Sequence, residues 1–377
     1  MSDQAVYERF IEWLGQTWWR LPPSEHLMPM VTSYVSPEDA AFLTGIPFNG
    51  KSLEELAEMK EMDPTELAPR LKELAQKGLL FESFREDSVQ YRLNDSFFTF
   101  FRAVYWPGRS DEATKANAPH VNKYYMDGWF DQFADAHLKG LRSIPIEKTV
   151  EDTRQILPFE DIVKVIEDRE YYSVSVCPCR HRHNLDPDLP DCNHSAEVCL
   201  HFDELGRYTV QNGMGREITK EETFAILKKA ADEGLVHGVS NWKEAPDTIC
   251  NCCNDVCMWF EAYYKLGHDK AVDPSNYKVS VNPQTCRACA LCVRRCPMDA
   301  LQLKFSAEAQ NRFHKAPVLD PDVCIGCGVC VHKCPTDSLV LVRNEVTTEP
   351  PESVRAYGMH FLVDRKAAQE EREKSAG

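Results

Sequence analysis

One cysteine pattern occurs twice with identical spacing: Cys286-x2-Cys289-x2-Cys292-x3-Cys296-Pro297 and Cys324-x2-Cys327-x2-Cys330-x3-Cys334-Pro335. Any fold for this chain must accommodate two equivalent thiol-bearing loops. All 16 cysteines lie between Cys177 and Cys334, and the long stretch before Cys177 has none. A disulfide framework would not segregate them in this way, and a chain of 377 residues is long enough for two or three domains with cores of their own. Dense cysteine spacing in such a chain reads as metal ligation.

Each two-residue gap lets a tight loop wrap one face of a cubane, presenting three thiolates to three irons while backbone N–H groups point at the sulfurs. The fourth cysteine of each run lies too far along to close the same cluster. Zinc is the competing reading, since four-cysteine zinc sites also use Cys-x2-Cys, but zinc takes two pairs rather than triplets. The runs therefore predict two 4Fe-4S clusters. Pro297 and Pro335 end the loops by withholding a backbone donor, and Leu301 and Leu339 stand at matching places in the two halves.

This segment resembles the bacterial two-cluster ferredoxins. The resemblance implies that the fourth thiolate of each run ligates the other cluster. One cluster then takes Cys286, Cys289, Cys292 and Cys334, and the other takes Cys324, Cys327, Cys330 and Cys296. The chain departs from that family twice. Ala288 stands where a glycine is common, and 27 residues separate Cys296 from Cys324. Arg287, Arg294, Arg295 and Lys333 beside the thiols would raise the reduction potential and offer a docking face, or else are solvated surface charges.

Eight cysteines remain upstream as candidate metal ligands: Cys177, Cys179, Cys192 and Cys199, then Cys250, Cys252, Cys253 and Cys257. Eight thiolates match two four-ligand sites, so one or two further iron-sulfur clusters are expected, with zinc as the alternative. Vicinal Cys252 and Cys253 do not easily reach one cubane together, because adjacent side chains diverge, so they serve different sites or a non-cubane centre. His181, His183, His194, His201 and His237 interleave with these cysteines but read individually as ordinary polar residues. The order Cys-Pro-Cys-Arg from Cys177, a capped helix, Gly234 to His237 and then Ile249 to Cys253 is similar to a region ahead of ferredoxin modules in iron-sulfur proteins of anaerobes. That resemblance covers roughly residues 155–340 and implies an electron-transfer subunit beside a larger oxidoreductase.

The expected fold class is α+β in four parts: a winged-helix-like docking domain (1–110), a cysteine-rich metal or iron-sulfur α/β region (111–275), the two-cluster module (276–345) and a charged tail (346–377). Helical signals follow Ser36, run from Ser52 to Lys60 and from Thr65 to Lys77, and precede a strand, a charged break at Arg85, Glu86 and Asp87, and a returning strand. An aromatic N-terminal helix with Phe10, Ile11, Leu14 and the indoles Trp13, Trp18 and Trp19 packs internally or docks on something. Thr219 to Glu222 is a capping box for a helix that Gly234 ends.

A formal charge of −16 suits a phosphate backbone poorly. In the would-be DNA-reading segment, Asp63 to Asp95, seven acids face five bases and Pro69 sits inside the third helix and strains it. Nucleic acid is therefore not an expected partner. From Cys286 to Cys334 the balance reverses, with seven Lys or Arg against four acids. Neither a signal peptide nor a run of 18 apolar residues is found, so a cytoplasmic, oxygen-poor setting without a transmembrane segment is expected. Asn212 to Arg216 lacks the third glycine of a dinucleotide fingerprint, so neither flavin nor nicotinamide is expected on this chain.

The reading is an electron relay, a non-catalytic subunit whose partner is a redox protein or the catalytic or flavin subunit of an oxidoreductase complex. The alternatives are an enzyme that reduces its own substrate at an upstream cluster with an open iron, using Arg180 and His237, and a redox-sensing regulator acting through the winged helix.

Overall fold

A computed structural model describes residues 2–17, 19–84, 88–130, 137–146, 149–150, 156–269 and 271–376. Trp18 and the predicted break at Arg85, Glu86 and Asp87 fall outside the described residues. Helix and strand are mixed, as expected for an α+β chain, and no described helix is long and apolar enough to cross a membrane. The chain divides into two compact units, Met1–Ala136 with Tyr171–Ile218 and Arg365–Gly377, and His137–Glu170 with Thr219–Asp364.

In the first unit, helix α1 (Asp3–Leu14) buries Tyr7, Phe10 and Leu14, one helical stripe, and Trp13 donates from Nε1 to the Ile46 carbonyl at 2.9 Å. After α2 (Leu27–Thr32), helix α3 (Pro37–Leu43) starts where the Ser36 hydroxyl accepts from Asp39 N. Strand β1 (Lys51–Ser52) leads into α4 (Leu53–Lys60), whose capping box pairs Ser52 with Glu55, a device worth about 1 kcal/mol. Helix α5 (Pro64–Gln76), capped by Asp63, buries Leu67, Leu71, Leu74 and Ala75. Strands β2 (Leu80–Phe84) and β3 (Val89–Leu93) pair antiparallel, and β1 joins β3 to complete a three-stranded sheet.

Aromatic packing dominates the rest of this unit. Two wide helical turns of i→i+5 type, Phe97–Ala103 and Tyr125–Trp129, gather Phe97, Trp129 and Trp19 into stacked rings. Strands Tyr172–Val176 and Glu197–Phe202 pair antiparallel, with the short strand Arg216–Glu217 on the other side of the first. The following helix, Asp203–Gln211, fastens this sheet to the N-terminal hairpin. Tyr208 lies 4.4 Å from the Phe81 ring and donates to the Leu80 carbonyl at 3.0 Å, so its buried hydroxyl is satisfied. Asn212 caps that helix and Gly213 follows with φ +67, so the glycine pair here closes a helix instead of opening one on a phosphate.

In the second unit, strands Leu141–Ser143, Val236–Ser240 and Thr248–Cys252 form an antiparallel run. Helix Lys220–Glu233 is capped by Thr219 and closed by Gly234 at φ +91, as its sequence signals predict. Helix Met258–Leu266 starts directly after Cys257. The remainder holds two short ladders, Tyr277–Val281 with Leu339–Arg343 and Leu301–Phe305 with Lys315–Leu319. Val150, Tyr277, Val279, Leu301, Leu339 and Leu341 pack there around the buried Cys292 and Cys330. The C-terminal helix Val354–Ala376 lays Tyr357 and Phe361 inward.

Candidate metal centres

The duplicated cysteine runs fold as duplicates. Each begins with a loop that is left-handed two and four residues after its first cysteine: Ala288 and Ala290 at φ +57 in one, Gly326 and Gly328 at φ +64 and +79 in the other. These turns point amides inward, and a short helix follows each, Leu291–Arg295 and Val329–His332. Three residues after the last cysteine of each run the chain turns left-handed again, at Asp299 and Asp337.

Two cavities result. Cys286, Cys289 and Cys292 line the first together with Cys334, and Cys324, Cys327 and Cys330 line the second together with Cys296. Every wall thus combines three thiols of one run with the last thiol of the other. Leu303, Pro317 and Leu339 shield the first set, and Val279, Leu301 and Leu319 the second. Backbone N–H groups reach the sulfurs, from Ala288 to Cys286 at 3.3 Å, Ala300 to Cys296 at 3.2 Å and Ser338 to Cys334 at 3.3 Å.

The electrostatics of the sets follow from this crowding. Burial, with added repulsion from Cys286, Cys289 and Cys334, pushes the Cys292 thiol up to about 11. Burial likewise pushes Cys330 well above the usual thiol range, and Cys327, Cys296 and Cys324 add to it. Four thiols crowded together resist joint ionisation unless positive charge lies among them, and coordinated iron would supply that charge and displace the protons. An all-sulfur donor set with inward amides suits an iron-sulfur cubane.

Two of the basic residues flanking these thiols have internal work. Arg295 donates from Nη2 to the Ala231 carbonyl at 2.9 Å and from Nη1 to the Asp232 carbonyl at 3.2 Å, closing the C-terminus of helix Lys220–Glu233. Lys333 and His332 both reach Asp232 Oδ1, at 2.5 and 2.8 Å. Arg287 and Arg294 are exposed. Asp232 has one local partner, Lys228 at 3.0 Å one helical turn before it, but its contact with His332 spans 100 residues and carried no local signal in the sequence.

The upstream cysteines divide between the units. In the first, Cys177 stands between strand Tyr172–Val176 and helix Pro178–Asn184, with its amide on the Ala196 carbonyl at 2.8 Å, and Cys179 is buried in that helix. Cys192 Sγ lies 3.5 Å from His194 Nδ1. Cys199 packs among Phe81, Trp106, Leu205 and Tyr208, an apolar setting for a thiol. Arg180 donates to the Ser195 carbonyl at 2.7 Å, so this buried cation holds a loop. His181 and His183 contact the carbonyls of Arg109 and Pro190, and His201 packs against the Trp106 ring.

In the second unit, Cys250 and Cys252 share one face of their strand, and Cys257 follows at the start of the next helix. Hydrogen-bonding contact with Cys250 and Cys257, then burial, holds the Cys252 thiol well above the usual range. Of the vicinal pair, Cys252 turns toward this group, and Cys253 is buried as well. His237 Nδ1 meets Asn251 Oδ1 at 2.6 Å on the adjoining strand, and burial holds its imidazole down to about 4.

Residues 285–338 match a family model described as a 4Fe-4S dicluster domain. No curated protein matches the chain. The match, together with the two four-thiol cavities it spans, supports an iron-sulfur protein whose 4Fe-4S clusters belong to this segment.

Proposed function

We propose that the protein is a multi-cluster electron relay, a subunit that passes electrons to or from a larger oxidoreductase in an anaerobic cytoplasm. The observation that carries the reading is the crossed arrangement of thiols, three from one run and one from the other around each cavity. In this reading Cys286, Cys289, Cys292 and Cys334 hold one cluster, and Cys296, Cys324, Cys327 and Cys330 the other. Bound clusters supply one-electron valence change. The chain's own part is to exclude water with Leu303, Leu339, Val279 and Leu301, and to aim amides at the sulfurs, which stabilises the more negative, reduced state. The eight upstream cysteines hold one or two further centres.

The N-terminal helices and hairpin act in this reading as a winged-helix-like protein-docking domain. The bases on and directly after α5 support that over DNA binding. Arg70 and Lys77 both pair with the buried Asp39, and Lys72 pairs with the buried Glu82 at 2.6 Å, so all three already have anionic partners.

A second reading, reduction of a substrate at a further centre, is favoured by the meeting of Cys250, Cys252 and Cys257, which offers three thiolates to a cluster and leaves one iron for another ligand.

Iron, sulfide and zinc should be measured on anaerobically purified protein, with electron paramagnetic resonance during stepwise reduction. The relay predicts clearly more than the eight irons of two cubanes, no zinc, and reducible clusters that interact magnetically. Eight irons with zinc would make the upstream cysteines structural. An iron that exchanges with added ferrous ion would favour the second reading.

A further inference from the structure

The long insertion between Cys296 and Cys324 forms the hairpin Leu301–Phe305 with Lys315–Leu319, joined by a tip of residues 306–314. Leu303 and Pro317 are Cα partners in this ladder and line the first cavity. Side chains alternate along a strand, so Phe305 continues the Leu303 face beyond the cavity, where it is 74% exposed. Phe313 in the tip is 52% exposed.

The tip is pinned, so these rings are held outward. Asn311 donates to the Cys286 carbonyl at 3.0 Å and the Lys315 carbonyl at 2.8 Å, and its Oδ1 accepts from Phe313 N at 3.1 Å. That anchor ties the tip to the first cysteine loop, whose Cys289 is exposed while the other seven cysteines of the two runs are buried or half-buried. Charge surrounds the rings: Lys304, Arg312 and Lys315 against the single acid Glu308, in a chain of net charge −16. Arg312 lies over the Phe313 ring at 4.6 Å.

Two rigidly presented aromatic rings within a basic rim, next to the exposed edge of a cluster cavity, form an interface centre rather than a solvated surface. We propose that this hairpin is the docking surface for an acidic one-electron carrier protein; the proposal rests on the relay reading. In the direction tested, one electron leaves the reduced cluster beside Cys289, oxidising it by one equivalent. It reduces by one equivalent the flavin or iron-sulfur centre of the partner, and no atom is transferred. The basic rim steers an acidic partner, and the rings exclude water where the two centres approach.

The test uses full-length, cluster-loaded protein reduced with dithionite, with an acidic flavodoxin as probe acceptor and ferricyanide as a small acceptor that needs no docking. Two double variants, Phe305→Ser with Phe313→Ser and Arg312→Glu with Lys315→Glu, are compared with Lys229→Glu, an exposed charge on helix Lys220–Glu233. The rate constant toward flavodoxin should fall about tenfold or more in each double variant, and its salt dependence should flatten in the charge variant. Lys229→Glu, the ferricyanide rate and the cluster resonance signals should stay within about twofold of wild type. Double variants that reduce flavodoxin at the wild-type rate would overturn the proposal. So would a wild-type dimer that the phenylalanine variant dissociates without a rate change, since the surface then belongs to a second copy. Failure of the wild type to reduce ferricyanide would overturn the relay reading, and the proposal with it.

Discussion

Ala288 and Gly326 occupy the same step of the two cysteine loops with nearly the same left-handed backbone, yet only one of them can be changed freely. A Cβ on Gly326 would fall 2.2 Å from both Ser275 Oγ and the Tyr277 carbonyl, whereas Ala288 is half-exposed. Left-handed backbone costs an L-residue roughly 1–2 kcal/mol, so the first loop holds strain that the second avoids. Ala288→Gly is therefore expected to stabilise by about 0.5 kcal/mol after the added freedom of the unfolded chain is subtracted, read as a small rise in the anaerobic thermal midpoint. Gly326→Ala should destabilise by more than about 2 kcal/mol, because a backbone oxygen must move. Equal midpoints for the two variants would show that the loops are not confined as described. The missing glycine after Cys286 was visible in the sequence as a departure from the family. That the alanine would adopt the glycine's conformation was not, because the contacts that forbid a side chain at Gly326 come from residues 275 and 277.

Among elements, helix Lys220–Glu233 reaches the cysteine module through its C-terminus. Arg295 satisfies two of its terminal carbonyls, and hydrogen bonds from Lys333, His332 and Lys228 hold the Asp232 carboxyl well below the usual range. Arg295→Met should cost about 1–2 kcal/mol, since it removes two charge-assisted bonds at a helix end. Faster amide exchange in the last turn of that helix would register the loss. Arg295→Lys should recover little, because one ammonium cannot replace the two-pronged contact; full recovery would contradict the capping role. The helix itself was legible, as were α3 and α4, because Thr219, Ser36 and Ser52 are local cap signals. The internal roles of Arg295 and Lys333 were not, since a sequence places them only beside their cysteines. The wide turns at Phe97–Ala103 and Tyr125–Trp129 also escaped notice. Their aromatic runs lack helical periodicity, and packing rather than propensity selects the conformation. The two cysteine sets were the most legible feature, since identical spacing survives without knowledge of any distant contact.

At the level of the whole molecule, the two units rest on different kinds of core. In the first, α5 buries Leu67, Leu71, Leu74 and Ala75, an apolar stripe without thiols. In the second, Cys292 and Cys330 are themselves part of the packing around Leu301 and Leu341. Anaerobic removal of iron with a chelator should therefore speed amide exchange sharply in Tyr277–Val281 and Leu339–Arg343 while leaving α5 protected. Uniform loss of protection would mean that the first unit also depends on metal. The crossed walls also bear on synthesis. The cavity begun by Cys286 is not enclosed until Cys334, the final cysteine of the chain, has left the ribosome, whereas the set begun later by Cys324 is complete at Cys330. The thiols translated first thus wait longest for their fourth partner, and a nascent chain stalled between Cys330 and Cys334 carries one closed set and one open one.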